Sequence, residues 1–234
     1  MSQDYCADQV MRHDYEHYVM TLFAPRKQRG ALWAIYAFNL ELKKVKTLVR
    51  EPMMGLVRFQ WWRDAITQLY AGNTLRHQVL EGISAELKNI HWQENDFQDL
   101  INAYENDFET TEIHSIDEGW NLINAIAAPF TRLIETIEKN PASDQSVIIN
   151  AGYIFLQSIL EDSRFKNIDR LLLVSQLEKK LNLVNTKTIC KTQAILMYYI
   201  MRRNLSSMVK NKQNNPLLLS FYLWYKRLFF NRLQ

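Results

Sequence analysis

The chain has 234 residues, of which 47% are hydrophobic, and this composition excludes disorder as its main state. Its six glycines and five prolines are too few for the turns of an all-β sandwich or barrel, and no glycine cluster forms a nucleotide-binding loop. The net charge of +3, without an RNA-binding or zinc-finger motif, argues against nucleic acid as a partner.

Helical periodicity dominates the chain, and prolines, glycines and short polar residues separate its segments. The predicted helices span residues 10–23, 25–49, 52–70, 78–89, 96–108, 117–139, 146–160, 187–212 and 217–233, with a less regular stretch at 165–185. No linker, repeat or shift in composition divides them. We predict an all-α helical bundle that forms one domain over residues 1–234.

Three features of the sequence bear on location. The first residues lack the basic and apolar regions of a secretory signal peptide, and the two cysteines form no disulfide framework. No uncharged apolar run reaches 18 residues, the length that indicates a transmembrane helix. We expect a cytoplasmic location, or one peripheral to the inner membrane.

The most informative stretch runs from Thr21 to Leu69 and contains two apolar stripes with helical spacing, which we expect to be core. The stripes are Leu32, Ile35, Phe38 and Leu42 on one helix, and Phe59, Trp62 and Ile66 on the next.

This stretch resembles the squalene/phytoene synthase family. The matching residues are Phe23-Ala24-Pro25, Arg29, Ala31-Leu32-Trp33-Ala34 and Tyr36-Ala37-Phe38. It is most similar to the branch of respiratory complex I assembly factors and their bacterial relatives, through Phe38-Asn39, Glu41-Leu42, Val45, Gly55, Arg58 and Gln60-Trp61-Trp62. The resemblance is strong over residues 12–72, weaker to about 165 and thin from 166 to 213. It implies the isoprenoid synthase helical bundle.

The resemblance also implies a chemistry. Catalytic members of the family join two prenyl diphosphates head to head and hold Mg²⁺ with two aspartate-rich helix motifs. At the expected place of the first motif this chain has Lys43, Lys44 and Thr47. A protonated lysine does not ligate Mg²⁺ and repels it.

The second motif is expected between residues 146 and 164. Glu161 and Asp162 lie there, but adjacent residues diverge by about 100° around a helix and do not form a pair one turn apart. We therefore predict that both metal sites are lost and that the protein binds no cofactor. Mg²⁺ is expected only if the chain is an active synthase.

Three functions follow from these observations. The first is a non-catalytic assembly or scaffold factor for a membrane respiratory complex related to complex I. The first alternative is an active head-to-head prenyl-diphosphate transferase, and the second is an isoprenoid-binding or lipid-binding module without turnover. The expected partners are accordingly a respiratory-complex subunit, a prenyl or lipid ligand, and a membrane surface.

Eight residues are candidates for the cavity or a ligand. Asn39 and Glu41 recur together in the assembly-factor branch, while Lys43 and Lys44 belong to a basic run that either binds a diphosphate or faces solvent. The complete set is Asn39, Glu41, Lys43, Lys44, Arg58, Gln60, Trp62 and Gln157.

The last predicted helix, within residues 216–234, is apolar and aromatic nearly all round and contains basic residues but no acid. Such a helix either docks into the bundle or lies at a membrane interface, with its aromatic side chains at headgroup depth. The residues predicted to contact a membrane or partner are Trp224, Tyr225, Lys226, Arg227, Phe229 and Phe230.

The segment from His13 to His17 matches the HxxEH pattern of a class of zinc peptidases, in which two histidines on one helix face bind the metal. No acid downstream stands out as the further ligand. We therefore predict no metal site and name no catalytic residue.

Overall fold

Helices and short connections make up the described chain, which in this computed structural model comprises residues 2–49, 51–139, 143–166, 170–184 and 192–209. Within these ranges there is no strand, and the all-α prediction is confirmed. The helices are α1 (Ser2–His13), α2 (Tyr15–Leu22), α3 (Arg26–Leu48), α4 (Pro52–Tyr70), α5 (Gln78–Leu87), α6 (Glu94–Glu109), α7 (Ile116–Ile137), α8 (Asp144–Glu161), α9 (Arg170–Asn182) and α10 (Thr192–Val209).

Prolines and glycine set the ends of α3 and α4 as the sequence predicts. Pro25 caps α3, and Pro52 is the first residue of α4, where its missing N–H group costs no helical hydrogen bond. After α4, Gly72 adopts a φ of 89°, a left-handed conformation that ends a helix at little cost to glycine.

The predicted helix over residues 10–23 is wrong in one respect, because Asp14 divides it into α1 and α2. The backbone of Asp14 has a φ of −151°, and its carboxylate accepts a hydrogen bond from the backbone N–H of His17 at 3.3 Å. Aspartate competes for backbone donors in this way, so it starts a new helix within an otherwise continuous helical pattern.

Helix α3 is the centre of the bundle and contacts α1, α2, α4, α5, α6 and α7. Both predicted apolar stripes are buried. Phe38 of α3 lies edge-on to Trp62 of α4 and Phe97 of α6, with ring centroids 5.2 and 5.4 Å apart. Helix α8 packs against α7 and α10, and these contacts place the carboxyl end of α8 beside α3 and α6.

No helix within the described ranges has both the length and the apolar character needed to cross a membrane. The predicted C-terminal helix, with its six candidate contact residues between Trp224 and Phe230, lies outside the described residues. Its docking and its membrane contact therefore stay predictions.

Candidate functional site

A cavity of about 450 Å³ lies between α2, α3, α4, α6, α7 and α8. This volume falls within the range of small-molecule sites in proteins. One part of the wall is apolar and is formed by Phe59, Ile123, Ile126, Phe130 and Ile154. The other part carries charged side chains from four separate regions of the chain, namely the start of α2, α3, α6 and the end of α8.

Two lysines of α3 are bound to carboxylates at the end of α8. Lys43 Nζ donates to Glu161 Oε2 at 2.9 Å, in a pair with about half of each side chain exposed. Lys46 Nζ lies between two carboxylates, 2.8 Å from Asp162 Oδ2 and 3.2 Å from Asp107 Oδ2. Lys46 thus joins α3, α6 and the end of α8 in one ionic cluster.

Arg164 completes this cluster, and its side chain is only 8% exposed. Its guanidinium donates to Asp107 and Asp162 at 2.6 Å each. It also donates to the backbone carbonyl oxygens of Asp107 and Thr110 at 2.9 and 2.7 Å. Charge-assisted hydrogen bonds of this kind are among the stronger ones in proteins.

The ionic cluster changes the acidity of Asp162. Burial alone would raise the pKa of this carboxyl, but hydrogen bonds from Arg164 and Lys46 outweigh burial and hold the pKa well below its usual value. The same hydrogen bonds to Asp162 and Asp107 raise the pKa of Arg164 against the opposite effect of burial. Asp162 and Arg164 are therefore both charged at neutral pH.

The position of Asp162 differs from the sequence prediction. The prediction places Asp162 about 100° from Glu161 around a continuous helix. Helix α8 ends at Glu161, and Asp162 has extended backbone angles, with φ −97° and ψ 123°. Both carboxylates therefore line the same cavity. Asp107 and Arg164 are not among the predicted site residues, because no local motif connects them to the lysines of α3.

Three of the eight candidate residues line the cavity, namely Asn39, Lys43 and Gln157. Asn39 Oδ1 accepts a hydrogen bond from the hydroxyl of Tyr104 at 2.8 Å. Gln157 Nε2 donates to the hydroxyl of Tyr153 at 2.6 Å. Burial, with Asp14 and Glu16 nearby, raises the pKa of Tyr153 well above its ordinary value, so this phenol keeps its proton.

The other five candidates lie away from the cavity. Lys44 donates to Glu41 at 2.9 Å and to Gln9 of α1 at 3.1 Å, so this pair faces α1. The remaining three are on α4. Arg58 and Gln60 are exposed, and Trp62 is buried against Phe38.

The HxxEH segment does not present two histidines on one helix, because Asp14 interrupts it. His17 is 2% exposed and lines the cavity, and its Nδ1 is 2.6 Å from Asp14 Oδ2. Its ring lies against Tyr36 and Tyr153, with centroid distances of 4.3 and 5.2 Å. The segment thus forms an Asp–His pair in the cavity wall.

The fold matches solved isoprenoid synthases. The chain superposes on a dehydrosqualene synthase in complex with ligand with a TM-score of 0.75, at 13% identity over 96% of both chains. A squalene synthase from Alicyclobacillus acidocaldarius gives a TM-score of 0.69 at 14% identity, over 90% of this chain and 94% of that one. The protein therefore has the helical fold of these synthases.

The sequence profile of squalene/phytoene synthases matches residues 10–141, more than half of the chain. The chain belongs to the squalene/phytoene synthase family. Its relatives include proteins named NADH dehydrogenase (ubiquinone) complex I, assembly factor 6. The human protein is 27% identical over 114 residues, and the bovine protein is 36% identical over 69 residues.

The alignment covers 49% of this chain and 34% of the human protein, and 30% of this chain and 21% of the bovine one. The chain thus matches about a third or less of the length of these relatives.

Three carboxylates that line the cavity are already paired with cations of the protein. Asp107, Glu161 and Asp162 already have Lys43, Lys46 or Arg164 as cationic partners. Within the part of the chain that the structure describes, no group of three or more His, Cys, Asp or Glu side chains is arranged to hold a metal ion.

Proposed function

We propose that this protein is a non-catalytic member of the squalene/phytoene synthase family that assists the assembly of a membrane respiratory complex related to complex I. The names of its relatives support the assembly role. The partner in this proposal is a subunit of that complex, and the place of action is the surface of the membrane that carries it.

One observation carries the non-catalytic part of the proposal. Lys46 Nζ lies 3.2 Å from Asp107 Oδ2 and 2.8 Å from Asp162 Oδ2, and Asp162 belongs to the stretch where the family resemblance places the second metal motif. An ammonium group carries one positive charge and offers no empty coordination position for a phosphate oxygen. The cluster therefore reproduces the neutralising effect of a metal ion without its Lewis acidity.

The non-catalytic proposal predicts the outcome of a product assay. The purified protein is incubated with farnesyl or geranylgeranyl diphosphate and millimolar Mg²⁺, and extracted lipids are analysed by mass spectrometry. We expect no head-to-head product, whereas a squalene synthase of the same fold, assayed in parallel, forms one. Formation of squalene or phytoene above the background of a reaction without protein would contradict the proposal.

The assembly proposal predicts a loss of assembled complex when the gene is deleted. We expect native gels of deletion-strain membranes to show less of the complete NADH dehydrogenase, and NADH-dependent quinone reduction to fall in proportion. The wild-type gene supplied in trans is the control and restores both. Unchanged amounts of the assembled complex in the deletion strain would exclude an assembly role.

A further inference from the structure

A second concave site lies at the other end of α3. This basic cleft has a volume of about 760 Å³ and is formed by the start of α3 and the ends of α5 and α7. Arg26 belongs to the cleft and Lys46 to the ionic cluster, and the helical rise of about 1.5 Å per residue puts about 30 Å between these two positions of α3. The basic cleft is therefore separate from the site described above.

Three cations line the basic cleft, namely Arg26 and Lys27 in the first turn of α3 and Lys139 just after α7. All three are exposed, and none of them forms an ion pair or a side-chain hydrogen bond with another described residue. Among the described residues that line the cleft, Glu86 supplies the one carboxylate, and it is only 7% exposed. The cleft thus presents excess positive charge to solvent, unlike the paired lysines of the ionic cluster.

Local helix chemistry does not account for these cations. The amino end of a helix carries a partial positive charge, which makes Arg26 and Lys27 unfavourable there, and α3 has no acidic residue in its first turn and no side-chain cap. Lys139 has a φ of 56°, a left-handed conformation that is uncommon for lysine. Residues that break local rules without a compensating contact are expected at functional sites.

A hydrogen bond holds the two sides of the basic cleft together. Gln28 Nε2, in the first turn of α3, donates to the backbone carbonyl oxygen of Ile137 at the end of α7 at 3.1 Å. Lys139 follows two residues later, so the three cations stay on one surface. An anion that bridges them relieves their mutual repulsion.

We propose that the basic cleft binds a phosphate group through Arg26, Lys27 and Lys139. Lysine and arginine are the side chains that most often bind phosphate in proteins. The volume of the cleft lies within the range of small-molecule sites, so we expect the phosphate to be part of a larger molecule. That molecule is either an anionic phospholipid, bound by its head group, or a water-soluble phosphate ester.

Two probes distinguish these sources. Vesicles of phosphatidylcholine, with and without about 30% phosphatidylglycerol, are sedimented with the protein, and glycerol 3-phosphate is titrated into it in a calorimeter. Binding to the anionic vesicles without binding of glycerol 3-phosphate identifies a lipid head group, and binding of glycerol 3-phosphate identifies a soluble ester. Binding of neither probe would overturn the proposal. Tighter binding of a single-stranded oligonucleotide than of either probe would also overturn it, because the cations would then serve nucleic acid.

A triple variant locates the bound phosphate. It combines Arg26→Gln, Lys27→Gln and Lys139→Gln, and its affinity for the probe that binds should fall at least about 10-fold, because each basic residue near an anionic surface contributes about fivefold. All three side chains are exposed, so we expect the variant to fold with an unchanged or higher melting temperature.

A second triple variant is the matched control, since it removes the same charge from exposed cations outside the basic cleft. Its substitutions are Arg76→Gln, Lys166→Gln and Lys179→Gln. Charges far from the bound phosphate are screened by salt, so affinity should change less than about 2-fold. Equal losses in the two triple variants would show attraction by net charge alone and would overturn the proposal. The product assay concerns the other end of α3, and its outcome does not affect this result.

Discussion

Replacing Arg164 by methionine is expected to lower the free energy of unfolding by about 3–5 kcal/mol, because it leaves Asp107 and Asp162 with too little positive charge. Both carboxylates are largely buried, with side chains 10% and 16% exposed, so water compensates little of the loss. Two backbone carbonyl oxygens also lose their donor. Urea unfolding monitored by circular dichroism measures the change.

The matched control for this substitution is Arg12→Met. Arg12 pairs with Asp8 at 2.8 Å, but its side chain is 65% exposed, and surface pairs of this kind contribute less than about 1 kcal/mol. If both variants lose the same small amount, Arg164 is not a structural cation and the cluster does not stabilise the site.

The effect of Arg164 should also depend on pH. A carboxyl whose pKa is lowered on folding, as for Asp162, stabilises the protein above its unfolded pKa of about 4 and loses this contribution as the pH falls towards the folded value. Arg164→Met removes the main cause of the lowered pKa. The difference between wild type and variant should therefore shrink below about pH 4.

Much of the fold is predictable because local chemistry determines it. Pro25, Pro52 and Gly72 each act through their own backbone, so the ends of α3 and α4 can be inferred without tertiary information. The break at Asp14 is harder to infer, because apolar periodicity continues across it. Only the side chain of Asp14 distinguishes a cap from an ordinary helical position.

The site is predictable only in part, because residue type and helix face are separate properties. Asn39, Lys43 and Lys46 are spaced by four and three residues and share the cavity face of α3, whereas Glu41 and Lys44 share another face. The candidate residues chosen from the family resemblance therefore include polar residues on both of these faces of α3. Which face is internal depends on the packing of α6, α7 and α8, and a single sequence does not show that packing.

The carboxylate partners of the α3 lysines also could not be predicted from the sequence, because they are distant along the chain. Asp107 is 61 residues from Lys46 along the chain, and Asp162 is 116 residues away. No sequence motif near Asp107 or Asp162 identifies either carboxylate as the counterion of a lysine. These contacts change the interpretation of the α3 lysines, since Lys43 is paired with Glu161 and Lys46 with the more buried Asp107 and Asp162.

Reversing the charge of Lys46 tests this interpretation. Lys46→Glu would place a third carboxylate beside Asp107 and Asp162, leaving Arg164 as their main cation, and should lower the free energy of unfolding by about 2–4 kcal/mol. The same reversal at Lys43 is the control. That lysine and its partner Glu161 are 46% and 61% exposed, so the expected loss is below about 1 kcal/mol.

Magnesium should distinguish the two reversed variants. A cluster of three carboxylates offers Mg²⁺ the oxygen ligands that it prefers, so millimolar Mg²⁺ should raise the melting temperature of the Lys46→Glu protein and leave the wild type unchanged. Since Lys46 joins three elements around the cavity, this result would mean that its ammonium group performs the structural task of a metal ion. Equal stabilities of the Lys43 and Lys46 variants, or a Lys46→Glu protein indifferent to Mg²⁺, would contradict that conclusion.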